Sequence, residues 1–274
     1  MIRRPNSRVN LDKAIERHFG SYGKSIETRS IMAGAIVGQM LKHGVVKGGC
    51  GLKLRYGLRH TRATMDLDTA CKGDLSEFIG DLSERLKEGW CGFTGEIFRR
   101  NPATPKNVPA QYVMKPYSVR LMYGGQSWCT VQLEVGFNEI GDADEAEFAL
   151  SPEVSGIFET LGFPPPDAVP LMLCEHQVAQ KLHGLTEPRS RRVHDLIDLQ
   201  LMAGNAEINL AKTREICVRL FAFRRMQPWP PQVSKGADWG SVYEVNRNKT
   251  ELARSLDDAI VWANDLIARI DAAK

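Results

Sequence analysis

The chain has 274 residues, 43% hydrophobic and 25% charged, the balance of a soluble globular protein and not of a collagen-like, disordered or disulfide-scaffold one. Its 36 basic and 33 acidic residues give a formal net charge of +3, too small to announce nucleic acid by itself. The longest apolar run, Ile31–Val37, falls short of the roughly 20 residues a bilayer needs. The N-terminal MIRRPN lacks a signal-peptide core, and six cysteines without a CxxC pair fit reduced thiols, so a cytoplasmic location without membrane contact is expected.

In chain order, Leu11–Phe19 and Ser25–Lys42 read as helices, the second with Ile26, Ser30, Ala33, Val37 and Leu41 at helical spacing. Val45–Lys47 is a short strand, Gly48–Gly51 a turn, and Leu52–Tyr56 a short helix closed by Gly57. Met65–Ala70 alternates polar and apolar residues as a half-buried strand does. A helix occupies Asp74–Glu88, then strands run over Gly95–Arg99, Tyr112–Tyr123 and Trp128–Phe137, the last two joined by a glycine hairpin turn at Gly124–Ser127.

After residue 138 the composition shifts. Glu139, Asp142, Asp144, Glu145 and Glu147 form an acidic stretch read as a solvated loop, and Pro164–Pro166 stiffen the chain beyond it. From Pro170 onward the pattern is helical, interrupted by a proline-containing loop at Gln227–Ser241. This divides the chain into a mixed α/β domain over residues 1–145 and a mainly helical one over 146–274.

Asp66 and Asp68 carry the most chemistry. At i and i+2 on a strand they share a face, where two like charges are unfavourable unless a cation or base offsets them. Mg²⁺ or Mn²⁺ suits such a pair because it takes oxygen ligands and leaves positions for phosphates. Two solvated aspartates at a strand end would give the same pattern. The preceding Lys47-Gly48-Gly49 turn adds specificity. Glycines between a strand and a helix let backbone N–H groups approach a phosphate, at the helix end that favours negative charge. Clustered arginines at 55, 59 and 62, at 99 and 100, at 189, 191 and 192, and at 224 and 225 fit either phosphate tracking or solvated surface.

These segments, Val46-Lys47-Gly48-Gly49-Cys50-Gly51-Leu52, Leu54-Arg55-Tyr56-Gly57 and Arg62-Ala63-Thr64-Met65-Asp66-Leu67-Asp68, resemble the AbiEii/AbiGii nucleotidyltransferase family of type IV toxin–antitoxin and phage-abortive systems. Cys50 stands where that family has Thr or Ser. Glu175, Ala179, Lys181 and Leu182 resemble its later "E…AEK" helix, and Arg192, Asp195, Asp198 and Leu199 its "R…DxxDL" helix.

The resemblance implies an α+β fold, with a nucleotidyltransferase-like mixed sheet and flanking helices followed by a mainly helical C-terminal domain, and the active site between the two. It implies an NTP substrate cradled by Lys47, Gly48, Gly49 and Thr64. Asp66 and Asp68 hold the metal with Glu134, which sits where such enzymes often carry a third carboxylate. Lys181 binds the triphosphate, and Asp195 either orients Lys181 or acts as a base. The acceptor is expected to be RNA, in particular tRNA, with a cognate antitoxin as partner. A protein-nucleotidylating enzyme, a small-molecule transferase and a non-catalytic binding module of the same fold remain alternatives. Taken without the resemblance, Lys181 is also a lysine snorkelling at a helix edge, Asp195 also a surface ion-pair partner of Arg191 or Arg192, and Glu134 also an outward strand position.

Overall fold

The structure is a computed structural model. It describes residues 3–20, 22–58, 61, 66–101, 113–247 and 255–274. Thr64, Arg59, Arg62 and the first residue of the strand expected from Tyr112 lie outside the described residues. The chain divides into two compact units, the first ending at Met172 and the second running over Leu173–Lys274.

In the first unit, α1 (Arg8–Phe19) and α2 (Gly23–Gly38) lead into β1 (Gly44–Lys47), α3 (Gly48–Tyr56), β2 (Asp66–Cys71), α4 (Leu75–Glu88), β3 (Phe93–Arg99), β4 (Lys115–Tyr123) and β5 (Gln126–Phe137). Then come β6 (Ala146–Ala149), α5 (Pro152–Thr160) and β7 (Val169–Met172). Among the described residues, seven strands form one mixed sheet in the order β3-β4-β5-β2-β1-β7-β6. β2 pairs parallel with β5 and antiparallel with β1, and β7 lies parallel to β1.

Local chemistry accounts for most boundaries. Ser7 caps α1 and Asp74 caps α4 through side-chain oxygens that accept from helix N–H groups. The β4–β5 hairpin turns on Gly124 and Gly125, both with positive φ, as a two-residue turn between twisted strands requires.

Strand side chains alternate, so the sheet has two unlike faces. On one, Leu67, Leu133, Val135 and Val119 are buried against helix residues such as Leu11, Ile15, Ile31 and Phe78. The opposite face carries Asp66, Asp68, Gln132, Glu134, Ser118 and Arg120. A small cluster of Val45, Ala70, Ala143 and Met172 closes that face at the β1–β7 end.

Three expectations change. The stretch after residue 145 contains β6, α5 and β7, which extend the first unit to Met172 because their strands complete the sheet. The acidic stretch is a built loop. Asp142 is 1% exposed and accepts from Glu139 N–H, Asn138 donates to Asp144, and Lys72 donates to the Asp144 carbonyl. Gly48–Gly51 are the first turn of α3 and not a separate loop.

The second unit is helical: α6 (Cys174–Thr186), α7 (Val193–Asn205), α8 (Leu210–Arg224), α9 (Trp239–Arg247) and α10 (Leu256–Ala272). α6 packs on α7 and α8, and α10 on α7, α8 and α9. A full capping box on Ser255 and Asp258 opens α10. Among the described residues, no helix is long and apolar enough to cross a membrane.

Candidate active site

β1 delivers Lys47 directly into α3. Lys47 is the N-cap and supplies no side-chain hydrogen bond, and no acidic residue lies in the first turn. The first N–H groups of this nine-residue helix therefore meet no carboxylate of their own turn, at the end of the helix that carries positive partial charge. Gly48 has φ +65°, and a Cβ there would lie 2.3 Å from Asp68 Oδ2. The glycine thus serves two needs at once: a left-handed backbone and a carboxylate pressed against the turn.

Sheet register does the rest. Lys47 pairs with Asp68 across β1–β2, and Asp68 pairs with Glu134 across β2–β5. Paired residues share a face, so Lys47, Asp68 and Glu134 form one row across three strands. Asp66, two residues before Asp68, stands on the same face opposite Gln132. Gly136, two residues beyond Glu134, leaves room for a cation: a Cβ there would lie 3.2 Å from Lys47 Nζ.

Burial and the neighbouring Asp68 and Asp66 charges push the Glu134 carboxyl up, with Arg100 opposing them. Burial and like charge act on Glu134 in the same direction, and Arg100 offsets part of that push. Behind the row, burial pushes the Cys50 thiol up to about 12, with Lys53 lowering it and Asp68 and Asp66 raising it further. Cys50 is thus a neutral packing residue, and it offers a phosphate no hydroxyl.

Among the described residues, no group of three or more His, Cys, Asp and Glu side chains is drawn together tightly enough to enclose a metal ion. An open pair of carboxylates with a third beside it still fits Mg²⁺, which keeps water and substrate phosphates in most of its positions.

The second unit gathers Lys181 with the two acids of α7. Lys181 Nζ donates to Asp198 Oδ2 at 2.6 Å and to Asp195 Oδ1 at 3.3 Å, and all three are buried. Arg192 Nε donates to the other Asp195 oxygen at 2.5 Å. Gly184 on α6 makes room, since a Cβ there would lie 2.7 Å from Arg192 Nε and 2.9 Å from Asp195 Oδ2. Burial alone would raise the Asp195 carboxyl. The Lys181 ammonium and Arg192 guanidinium outweigh it and hold Asp195 below the usual range. Asp198, which entered the sequence reading only through the "R…DxxDL" resemblance, is the nearer partner of Lys181.

The expected arginine clusters fare unevenly. The Arg55 side chain is buried, donating to the Met172 carbonyl at 2.8 Å and pairing with Glu147 at 3.0 Å, so it braces the fold and is not a surface cation. Arg189 and Arg191 are exposed, as are Arg99 and Arg100.

The family model for the AbiEii nucleotidyl transferase toxin of type IV toxin–antitoxin systems matches residues 31–266. The chain belongs to this family. That range holds both charged clusters, and it makes the chain a nucleotidyltransferase. The AbiEii chain is similar in fold to MenT4, a nucleotidyltransferase toxin from Mycobacterium tuberculosis, with TM-score 0.59 and 17% identity over 96% of this chain and 90% of that one. It is also similar to JHP933 from Helicobacter pylori, with TM-score 0.48 and 16% identity over 91% and 93%. A putative nucleotidyltransferase from H. pylori matches with TM-score 0.47 and 16% identity over 92% and 96%. No curated protein matches the sequence.

Proposed function

We propose that this AbiEii-family chain transfers a nucleotide from an NTP to a hydroxyl of RNA, in particular tRNA, with a divalent cation, and that it does so as a cytoplasmic toxin paired with an antitoxin. The row formed by Lys47, Asp68 and Glu134, with Asp66 on the same face beside the glycine start of α3, carries this reading.

In this account the N–H groups of Gly48 and Gly49 and the Lys47 ammonium receive phosphate oxygens. The family resemblance adds Thr64. Asp66, Asp68 and Glu134 hold the cation, Mg²⁺ or Mn²⁺, which when bound offsets charge on the phosphates. The acceptor hydroxyl oxygen forms a bond to the α-phosphorus, the bond from that phosphorus to the leaving oxygen breaks, and pyrophosphate departs. The hydroxyl proton passes to a carboxylate of the Asp66, Asp68 and Glu134 face. Lys181 serves the triphosphate, and Asp195 orients it. A carboxyl held below its usual range is a weak base, which favours orientation over proton abstraction for Asp195.

The test is incubation with each α-³²P-labelled NTP, Mg²⁺ and total RNA, beside an Asp66→Ala/Asp68→Ala control. Label on RNA that the control lacks supports the reading. Label on protein transfers the activity to a protein acceptor, and folded protein that labels nothing and binds no NTP points to a binding module.

A further inference from the structure

The open face of the sheet continues past the carboxylates. Phe98 on β3 pairs with Ser118 on β4, Ser118 with Gln132 on β5, and Gln132 with Asp66 on β2. Phe98 and Asp66 therefore lie on one face, three strand spacings apart, about 14 Å. Phe98 is 42% exposed. The guanidinium of Arg120, two residues after Ser118 and so on the same face, lies 4.9 Å from the centroid of the Phe98 ring. Its cross-strand acid Glu96 is 3.9 Å away and half exposed, a long and solvent-screened pair. A second stacked cation and ring among the described residues, Lys115 on Phe137, is in register with buried Val135 and belongs to the opposite face.

An arginine plane backed by an aromatic ring is a stacking surface for an unpaired base, and its N–H groups reach a neighbouring phosphate. Gln132 and Ser118 line the path from that plane to Asp66 with hydrogen-bonding side chains. We infer that Arg120 and Phe98 form a platform on which an unstacked base of a single-stranded RNA acceptor lies, a few nucleotides from its reacting end.

This rests on the RNA reading above and deepens it. The occupant is a base and not an apolar peptide. The exposed surface is a guanidinium rather than a bare ring, and it is continuous with the face that carries the reacting groups.

The test is binding of a fluorescein-labelled single-stranded RNA oligonucleotide to the full chain, read by polarisation, with transfer from α-³²P NTP to the same oligonucleotide as a second readout. Stacked contacts of this kind are worth about tenfold or more in affinity. Arg120→Ala is expected to weaken binding by about that factor and to raise KM for RNA while kcat holds. Arg120→Lys, which keeps the charge and loses the plane, should resemble Arg120→Ala more than the wild type. Phe98→Ala should fall between them, and Phe98→Tyr should restore binding. Both side chains are exposed, so unchanged circular dichroism is expected for every variant.

Wild-type affinity in Arg120→Ala and Phe98→Ala would overturn the platform and leave the pair as a shield for an apolar ring at the sheet edge. No binding of the oligonucleotide to the wild type would overturn it equally. Arg120-dependent binding without transfer would instead leave the platform standing and remove the RNA-transfer reading.

Discussion

Asp66, Asp68 and Glu134 stand as like charges on an open sheet face, whereas Asp195 and Asp198 stand buried and already matched to Lys181 and Arg192. The directions of the pKa shifts track that contrast: Glu134 is pushed up by burial and its acidic neighbours, and Asp195 is held down by its cations against burial. A cluster balanced from within contributes to folding and resists change. A cluster of like charges that raises the pKa of one of its own members is held in place by the sheet and gains from a cation. Loss of the first should therefore be read in stability as well as in turnover, and loss of the second mainly in turnover.

The sharpest way to break this division is Asp66→Ala/Asp68→Ala. Transfer is expected to fall by about 10³-fold or more, while the melting temperature stays level or rises. A marked loss of stability would put these aspartates in the wrong class.

Next in size is Lys181→Met, which takes from buried Asp198 its 2.6 Å ammonium partner and leaves Asp195 to Arg192, and should cost about 3–5 kcal/mol in urea unfolding. Replacing the whole buried group, as Lys181→Met/Asp195→Leu/Asp198→Leu, should recover most of that stability, since an apolar cluster of similar volume replaces a matched ionic one. Failure to recover would mean the network sets the helix packing and does not merely fill it.

Gly48→Ala comes third. Its positive φ costs a side chain about 1–2 kcal/mol, and the new Cβ displaces the Asp68 carboxylate. Both stability and turnover should fall together.

The smallest effects are electrostatic. Glu134→Gln should raise metal-free stability by a few tenths of a kcal/mol at neutral pH, by relieving a cross-strand repulsion, and the gain should shrink when Mg²⁺ is added. pH separates the two clusters by sign. The Asp195 carboxyl is lower in the folded chain than in the unfolded one, so its stabilisation is complete above the ordinary aspartate pKa. That stabilisation is lost as pH falls through the lower folded value. The Glu134 carboxyl is higher in the folded chain, so lowering the pH through its raised value stabilises the fold slightly. Urea midpoints across an acid titration of wild type, Glu134→Gln and Asp195→Asn would show both slopes.

Much of the framework was legible because it is local. The apolar spacing of α2 and α4, the alternation in β2 and the Gly124–Gly125 turn are patterns of neighbouring residues. The pairing of Asp66 with Asp68 came from strand geometry alone. Bringing Glu134 beside Asp68 depends on a parallel β2–β5 register between residues 66 positions apart, which no local pattern fixes. β6 and β7 escaped because four-residue strands are too short to show a period, and Val169–Met172 is buried throughout. Arg55 read as a surface cation because its partners, Glu147 and the Met172 carbonyl, lie far away in sequence. Phe98 and Arg120 gave no signal, since an exposed ring under a guanidinium appears only once β3 and β4 are paired.

The most direct test is calorimetric titration of NTP into the folded protein with and without Mg²⁺, for the wild type and for Asp66→Asn/Asp68→Asn. The open carboxylate face should bind NTP tightly only with the cation present, and the variant should lose that dependence while melting at or above the wild-type temperature. Equal, Mg²⁺-dependent binding by the variant would contradict the assignment of this face as the site where the cation and the triphosphate meet.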